Sequence, residues 1–147
     1  MILILTPVYK SFDTVKLLCD AVDSLTENDY LHILIDDDSG EELPIKPSKN
    51  RRIIQIKRDV EGVIHKNGAA NAIQLGYDFA HQTYFNEQPN PSYEHIFVIE
   101  SDVIPLDKGW DQKQIVALKD IPSDWATLDV QSVDEEGNVT YPCTVAP

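Results

Sequence analysis

His95-Ile96-Phe97-Val98-Ile99-Glu100-Ser101-Asp102-Val103-Ile104-Pro105 begins as an apolar, β-branched run and turns within one residue into two carboxylates spaced i and i+2. A buried strand whose exposed end holds a hard cation has this composition, and so does a solvated acidic turn. The stretch by itself does not choose between them. Pro105 is expected to close the strand. Two other apolar runs end in comparably unusual loops. Residues 2–6 are closed by Pro7 and lead into Val8 and Tyr9, and residues 31–35 lead into Asp36-Asp37-Asp38-Ser39-Gly40.

Between these runs the period changes. Val15, Leu18, Cys19, Val22 and Leu25 recur at helical spacing and predict a one-sided helix lying against a sheet. Ile53, Ile54 and Ile56 mark a third strand, after which Lys57-Arg58-Asp59 leaves the sheet. Residues 68–80 read as a helix whose small side chains let its backbone approach the sheet. Residues 41–50 and 86–92, each with two prolines, read as loops within one domain. Trp110 with Ile115, Val116 and Leu118 predicts a short helix, residues 125–130 a fifth strand, and Gly137-Asn138 between Val133 and Val139 a small hairpin. Strands alternating with helices define an α/β class with a doubly wound, mainly parallel sheet. In such sheets ligands bind beyond the carboxyl ends of the strands, near a topological switch point. The three unusual loops are therefore expected at one edge, where they can build one site.

A length of 147 residues fits one domain that buries about two-thirds of its unfolded surface. A composition 42% hydrophobic and 25% charged excludes a disordered chain. The 12 basic against 25 acidic side chains, a net charge of −13, argue against nucleic acid or an anionic membrane surface as the main partner. A phosphorylated ligand would need helix N-termini, a few placed cations or a bound metal to offset repulsion. Cys19 and Cys143 form no C-x-x-C pair and no histidine stands at zinc-like spacing, which excludes a disulfide framework and a zinc knuckle. Cys19 falls on the apolar helix face as a small core residue, and His32 and His95 read as residues at the starts of strands. The opening Met1-Ile2-Leu3-Ile4-Leu5 lacks a basic leader and no run approaches a membrane span, so a cytoplasmic location with no direct membrane insertion is expected.

The strand-end residues have a common chemistry. Tyr9 offers a ring for a nucleobase to stack on, with Pro7 shaping the turn. Asp36 and Asp37 can accept hydrogen bonds from a base N–H and from ribose hydroxyls. Lys66, just ahead of the helix at Gly68, can pair with a diphosphate alongside the helix N-terminus. Asp102 can coordinate a divalent ion bridging that diphosphate, with Glu100 as a second or water-mediated ligand. Each residue also has a plainer role: a tyrosine covering the sheet edge, an acidic turn bonded by Ser39, a surface lysine. The oxygen-only ligand set favours Mg or Mn over zinc. No G-x-G-x-x-G follows the first strand, no G-x-x-x-x-G-K-[ST] occurs, and no G-x-S-x-G elbow is present, which argues against a dinucleotide fold, a P-loop and an α/β-hydrolase.

Taken together, these residues resemble the nucleotide-sugar-dependent glycosyltransferases of the GT-A fold, most of all glycosyltransferase family 2, over residues 2–110. Thr6-Pro7-Val8-Tyr9 looks like the first-strand motif whose loop contacts the base. Ile35-Asp36-Asp37-Asp38-Ser39-Gly40 is similar to the second-strand motif, in which the resemblance gives base binding to Asp37. Residues 67–80 look like the helix beside the diphosphate, and Ile99-Glu100-Ser101-Asp102 stands where the family has D-x-D, which puts the metal on Asp102. Three positions depart from the pattern: Asp38 replaces a glycine, Ala70 stands where arginine is frequent, and Glu100 replaces the first aspartate.

The resemblance implies transfer of a sugar from a nucleoside-diphosphate sugar, a UDP-sugar favoured, to an unidentified acceptor hydroxyl, assisted by Mn or Mg and with inversion. It further implies that residues 1–147 form a single GT-A-like nucleotide-sugar-binding domain without the C-terminal acceptor-binding part. Asp129, Asp134, Glu135 and Glu136 are available carboxylates, yet none matches a family motif, and no general base or other catalytic residue is assigned. Two alternatives stay open: a non-catalytic nucleotide-sugar binding or assembly module, and a sugar nucleotidyltransferase, whose glycine- and arginine-rich first loop is absent.

Overall fold

The computed structural model describes residues 1–57, 68–84, 93–119, 130–133 and 139–143. Its centre is a parallel sheet of β1 (Ile2–Val8), β2 (Tyr30–Asp37), β3 (Arg51–Ile56) and β4 (His95–Val98), in the order β3-β2-β1-β4. β1 and β2 are buried along almost their whole length, which explains why they read as continuous apolar runs and not as alternating ones. α1 (Phe12–Leu25) and α2 (Gly68–Phe79) connect strands, a π-helical turn at Ala80–Tyr84 follows α2, and α3 (Trp110–Lys119) follows β4.

The side chains of β1 and β2 alternate between two helical layers. Ile2 and Ile4 pack with Leu18 and Val22 of α1 and with Trp110 and Ile115 of α3, while Val8 and Leu34 pack with Val15 and Cys19. Leu3, Leu5, Leu31, Ile33 and Ile35 face the other way, onto Ala72 of α2 and Ala80. Burying each such aliphatic side chain contributes about 1.5–3 kcal/mol of transfer free energy. The α1 stripe is the expected one, and Cys19 lies in it as a buried free thiol that burial pushes up to about 11. The close approach expected of α2 occurs at Gly76, where a Cβ would meet Ile35 Cδ1 at 2.8 Å.

Polar clasps fix the layers. The buried Arg51 guanidinium of β3 donates to the Cys19 carbonyl (3.1 Å) and to Asp23 Oδ1 (2.6 Å), which also accepts from the Tyr30 hydroxyl (2.6 Å). Fully buried Asp111 accepts from Glu27 N (3.1 Å), Asn28 N (2.9 Å) and Asn28 Nδ2 (2.6 Å), tying α3 to the loop after α1. Burial pushes the Asp111 carboxyl up, but those donors outweigh it and hold the group below the usual carboxylate range. Trp110 adds a bond from Nε1 to Thr26 Oγ1 (3.1 Å) and an edge-on contact with Phe97.

Several boundaries move from those expected. β1 runs through Pro7 to Val8, and β2 takes in both Asp36 and Asp37, because Val8 pairs with Asp36 and Asp37 with Ile56 across the ladder. His32 is not at the edge of its strand but fully buried in it, beside Thr6 Oγ1 (Nε2 at 3.1 Å). β5 (Val130–Val133) pairs antiparallel with β6 (Val139–Cys143) as a hairpin here requires, while the turn expected at Gly137-Asn138 lies outside the described residues. Of the fifth strand expected over residues 125–130, only Val130 is described, and it pairs within this hairpin. No helix among the described residues is long and apolar enough to cross a membrane.

Candidate functional site

Because the four strands are parallel, their carboxyl ends share one edge. From β1 the chain steps outward to β2 and β3, then returns to place β4 on the other side of β1. The direction reverses between β1 and β4, and in open parallel sheets such a switch point is where ligands bind, here between the loop at Tyr9 and the loop at Glu100.

Pro7 shapes that switch point. Ile99 N donates to the Leu5 carbonyl (3.0 Å), so Leu5 faces β4. In a parallel ladder every second residue faces the same neighbour, and the next one is Pro7, which has no N–H to continue the pairing. The β1–β4 ladder therefore ends at Leu5 and Val98, while β1–β2 pairing continues to Val8 and Asp36. The expectation that β4 persists until Pro105 is corrected accordingly. Released from the sheet, residues 100–103 form a turn closed by Val103 N donating to the Glu100 carbonyl (3.0 Å). Buried Ile99 anchors one side of the turn, and Val103 and Ile104 pack back into the core on the other. Ser101 points inward, and Glu100 and Asp102 are left exposed.

The loops after β1 and β2 are fastened to each other. Asp36, only 2% exposed, accepts from Ser39 N through Oδ1 (3.2 Å) and, more weakly, from Gln55 Nε2 through Oδ2 (3.4 Å). Its carboxylate is thus engaged in shaping its own loop, the role of an aspartate in a turn. Asp37, 6% exposed, alternates to the α2 face at the strand end. Ser39 Oγ accepts from Lys10 N (3.0 Å), and Ser11 Oγ donates to the Tyr9 carbonyl (3.1 Å). The Tyr9 ring is half exposed, with Lys10 Nζ 5.1 Å from its centroid. Asp38 has φ 59°, a left-handed conformation that glycine takes freely, and this gives a physical sense to its standing in for a glycine.

Lys66 and the carboxylates Asp129, Asp134, Glu135 and Glu136 lie outside the described residues. Among those described, no three His, Cys, Asp or Glu side chains gather to hold a metal ion. Glu100 and Asp102 remain two accessible oxygen donors on one turn. That set fits a Mg or Mn ion drawing its remaining ligands from phosphate oxygens and water, and does not fit a protein-only cage. Sequence reasoning did not single out Ser39 as the link between loops, nor the backbone of Lys10. The only signal for either is their position just past an apolar run.

Compared with family models, curated proteins and solved structures, the chain finds no match. The function must be argued from the chemistry of the site.

Proposed function

We propose that this chain binds a nucleoside-diphosphate sugar, a UDP-sugar by preference, and transfers the sugar to an acceptor hydroxyl with help from Mn or Mg, as a glycosyltransferase of the GT-A fold. The observation carrying this reading is the strand order, which sets the loops after β1 and β4, with Tyr9 and the Glu100–Asp102 turn, side by side at the switch point. Tyr9 stacks on the base, Asp37 meets base or ribose donors, and Asp36 with Ser39 keeps the loop in shape. Asp102 and Glu100 hold the cation, which when bound offsets charge on the departing diphosphate. Lys66, outside the described residues, is assigned to the same diphosphate together with the N-terminus of α2.

Calorimetric titration with UDP, GDP and CDP tests the reading, with and without Mn, on the native chain and on Asp102→Asn. Mn is expected to strengthen UDP binding, and Asp102→Asn to remove about tenfold or more of that gain. Nucleotide binding indifferent to both metal and Asp102 would sink the metal role. Binding without sugar transfer or donor hydrolysis would assign the chain to the non-catalytic module instead.

A further inference from the structure

Among the described residues, the non-glycine positions with positive φ are Lys10 (54°) and Asp38 (59°). Both fall within two residues of the ends of the paired strands β1 and β2, in the loops that Ser39 joins. Aspartate tolerates this region of backbone space, whereas lysine has no means of relieving it. Glycine or asparagine would give the same N–H to Ser39 with less strain. What lysine adds to this loop is therefore its side chain, and strain kept for a side chain points to a function. That side chain is laid on Tyr9, where the ring face holds the ammonium in place.

The surrounding charge shows what the ammonium meets. Asp37 ends its strand and Asp38, Glu100 and Asp102 follow theirs at this edge, an unfavourable field for any phosphate. Lys57 also follows a strand here, but that strand is β3, two positions from β1 and about 10 Å away. Ala70, in the first turn of α2, brings no charge.

We propose that Lys10 is a phosphate-recognising residue of this site, in addition to Lys66. With the base stacked on the face of Tyr9 that Lys10 does not cover, the Lys10 ammonium beside the ring pairs with a phosphate oxygen, so Lys10 sets the preference for a nucleotide over a bare nucleoside. The proposal rests on the nucleotide-binding reading above and adds a residue to it. Its seat on the ring limits the rotamer freedom that the ammonium must give up on pairing.

The test is calorimetry of the full chain with UDP and uridine at low and high salt, for the native protein, Lys10→Met and Lys10→Arg. Lys10→Met is expected to weaken UDP binding about tenfold, to leave uridine within about twofold, and to flatten the salt dependence. Lys10→Arg is expected to restore most of the UDP affinity. Lys10→Asn, suited to positive φ, must reproduce the selective loss should Met disturb the loop. Unchanged UDP affinity in the Met and Asn variants overturns the proposal, as does an equal loss of UDP and uridine, which would assign Lys10 to loop shape alone. A native chain that binds neither UDP nor uridine removes the nucleotide reading and this proposal together. Intact native UDP binding that ignores Lys10 removes this proposal only.

Discussion

Gly76 is the residue at which α2 comes closest to the sheet. A Cβ there would sit 2.8 and 2.9 Å from two side-chain atoms of Ile35, which is fully buried and would have to shift within a closed core. Alanine in place of a helical glycine gains about 1 kcal/mol of helix propensity, while overpacking a closed core costs about 1–3 kcal/mol. Gly76→Ala is thus expected to lose about 1 kcal/mol net, read as a lower urea midpoint with an unchanged slope. The sequence shows small residues in this helix, but which of them touches the sheet depends on how the helix is rotated against it. The division of labour between Asp36 and Asp37 is equally illegible in a row of acids, since neighbouring strand residues face opposite layers and it is Asp36 that accepts from Ser39 N.

At the scale of elements, the loop after α1 and the first turn of α3 are held by Asp111. Its three accepted bonds reach residues more than eighty positions earlier, a separation no local pattern reveals. Asp111→Ala would remove the acceptor of the Glu27 and Asn28 N–H groups, which are only partly shielded from water, and is expected to cost about 1–2 kcal/mol. The folded carboxyl titrates below its unfolded value of about 3.9. Its stabilisation is therefore complete above about pH 4 and is lost as pH falls through the folded value. Thermal melts from pH 5 to 2 should show a shallower acid decline in Asp111→Asn than in the native protein. Helices α1 and α2 were legible from apolar spacing because each buries one stripe, whereas the π-helical turn after α2 leaves no comparable mark.

Across the whole molecule, pH acts through His32 in the middle of the sheet. Burial and the neighbouring Arg51 push its imidazole down to about 3, against about 6.5 in an unfolded chain. The neutral form is the folded one, so its stability contribution is full above pH 6.5 and declines as pH falls toward 3, by up to about 1.4 kcal/mol per unit. Resistance to denaturant should fall as pH drops from 6.5 to 4.5, before the carboxylates titrate, and His32→Gln should flatten that slope. An equally steep slope in His32→Gln would assign the effect to other groups. The amino-acid sequence by itself determined the alternation of strands and helices, the apolar stripes, and the unusual residues at three strand ends, because periodicity and burial on both faces are properties of short segments. Only the tertiary structure decided that β4 lies beside β1, that Pro7 ends their pairing so that Glu100 and Asp102 leave the sheet on a turn, and that Ser39 joins the loops carrying Tyr9 and Asp37. Strand neighbours are chosen by packing between segments far apart in the chain, and no segment carries that choice within itself.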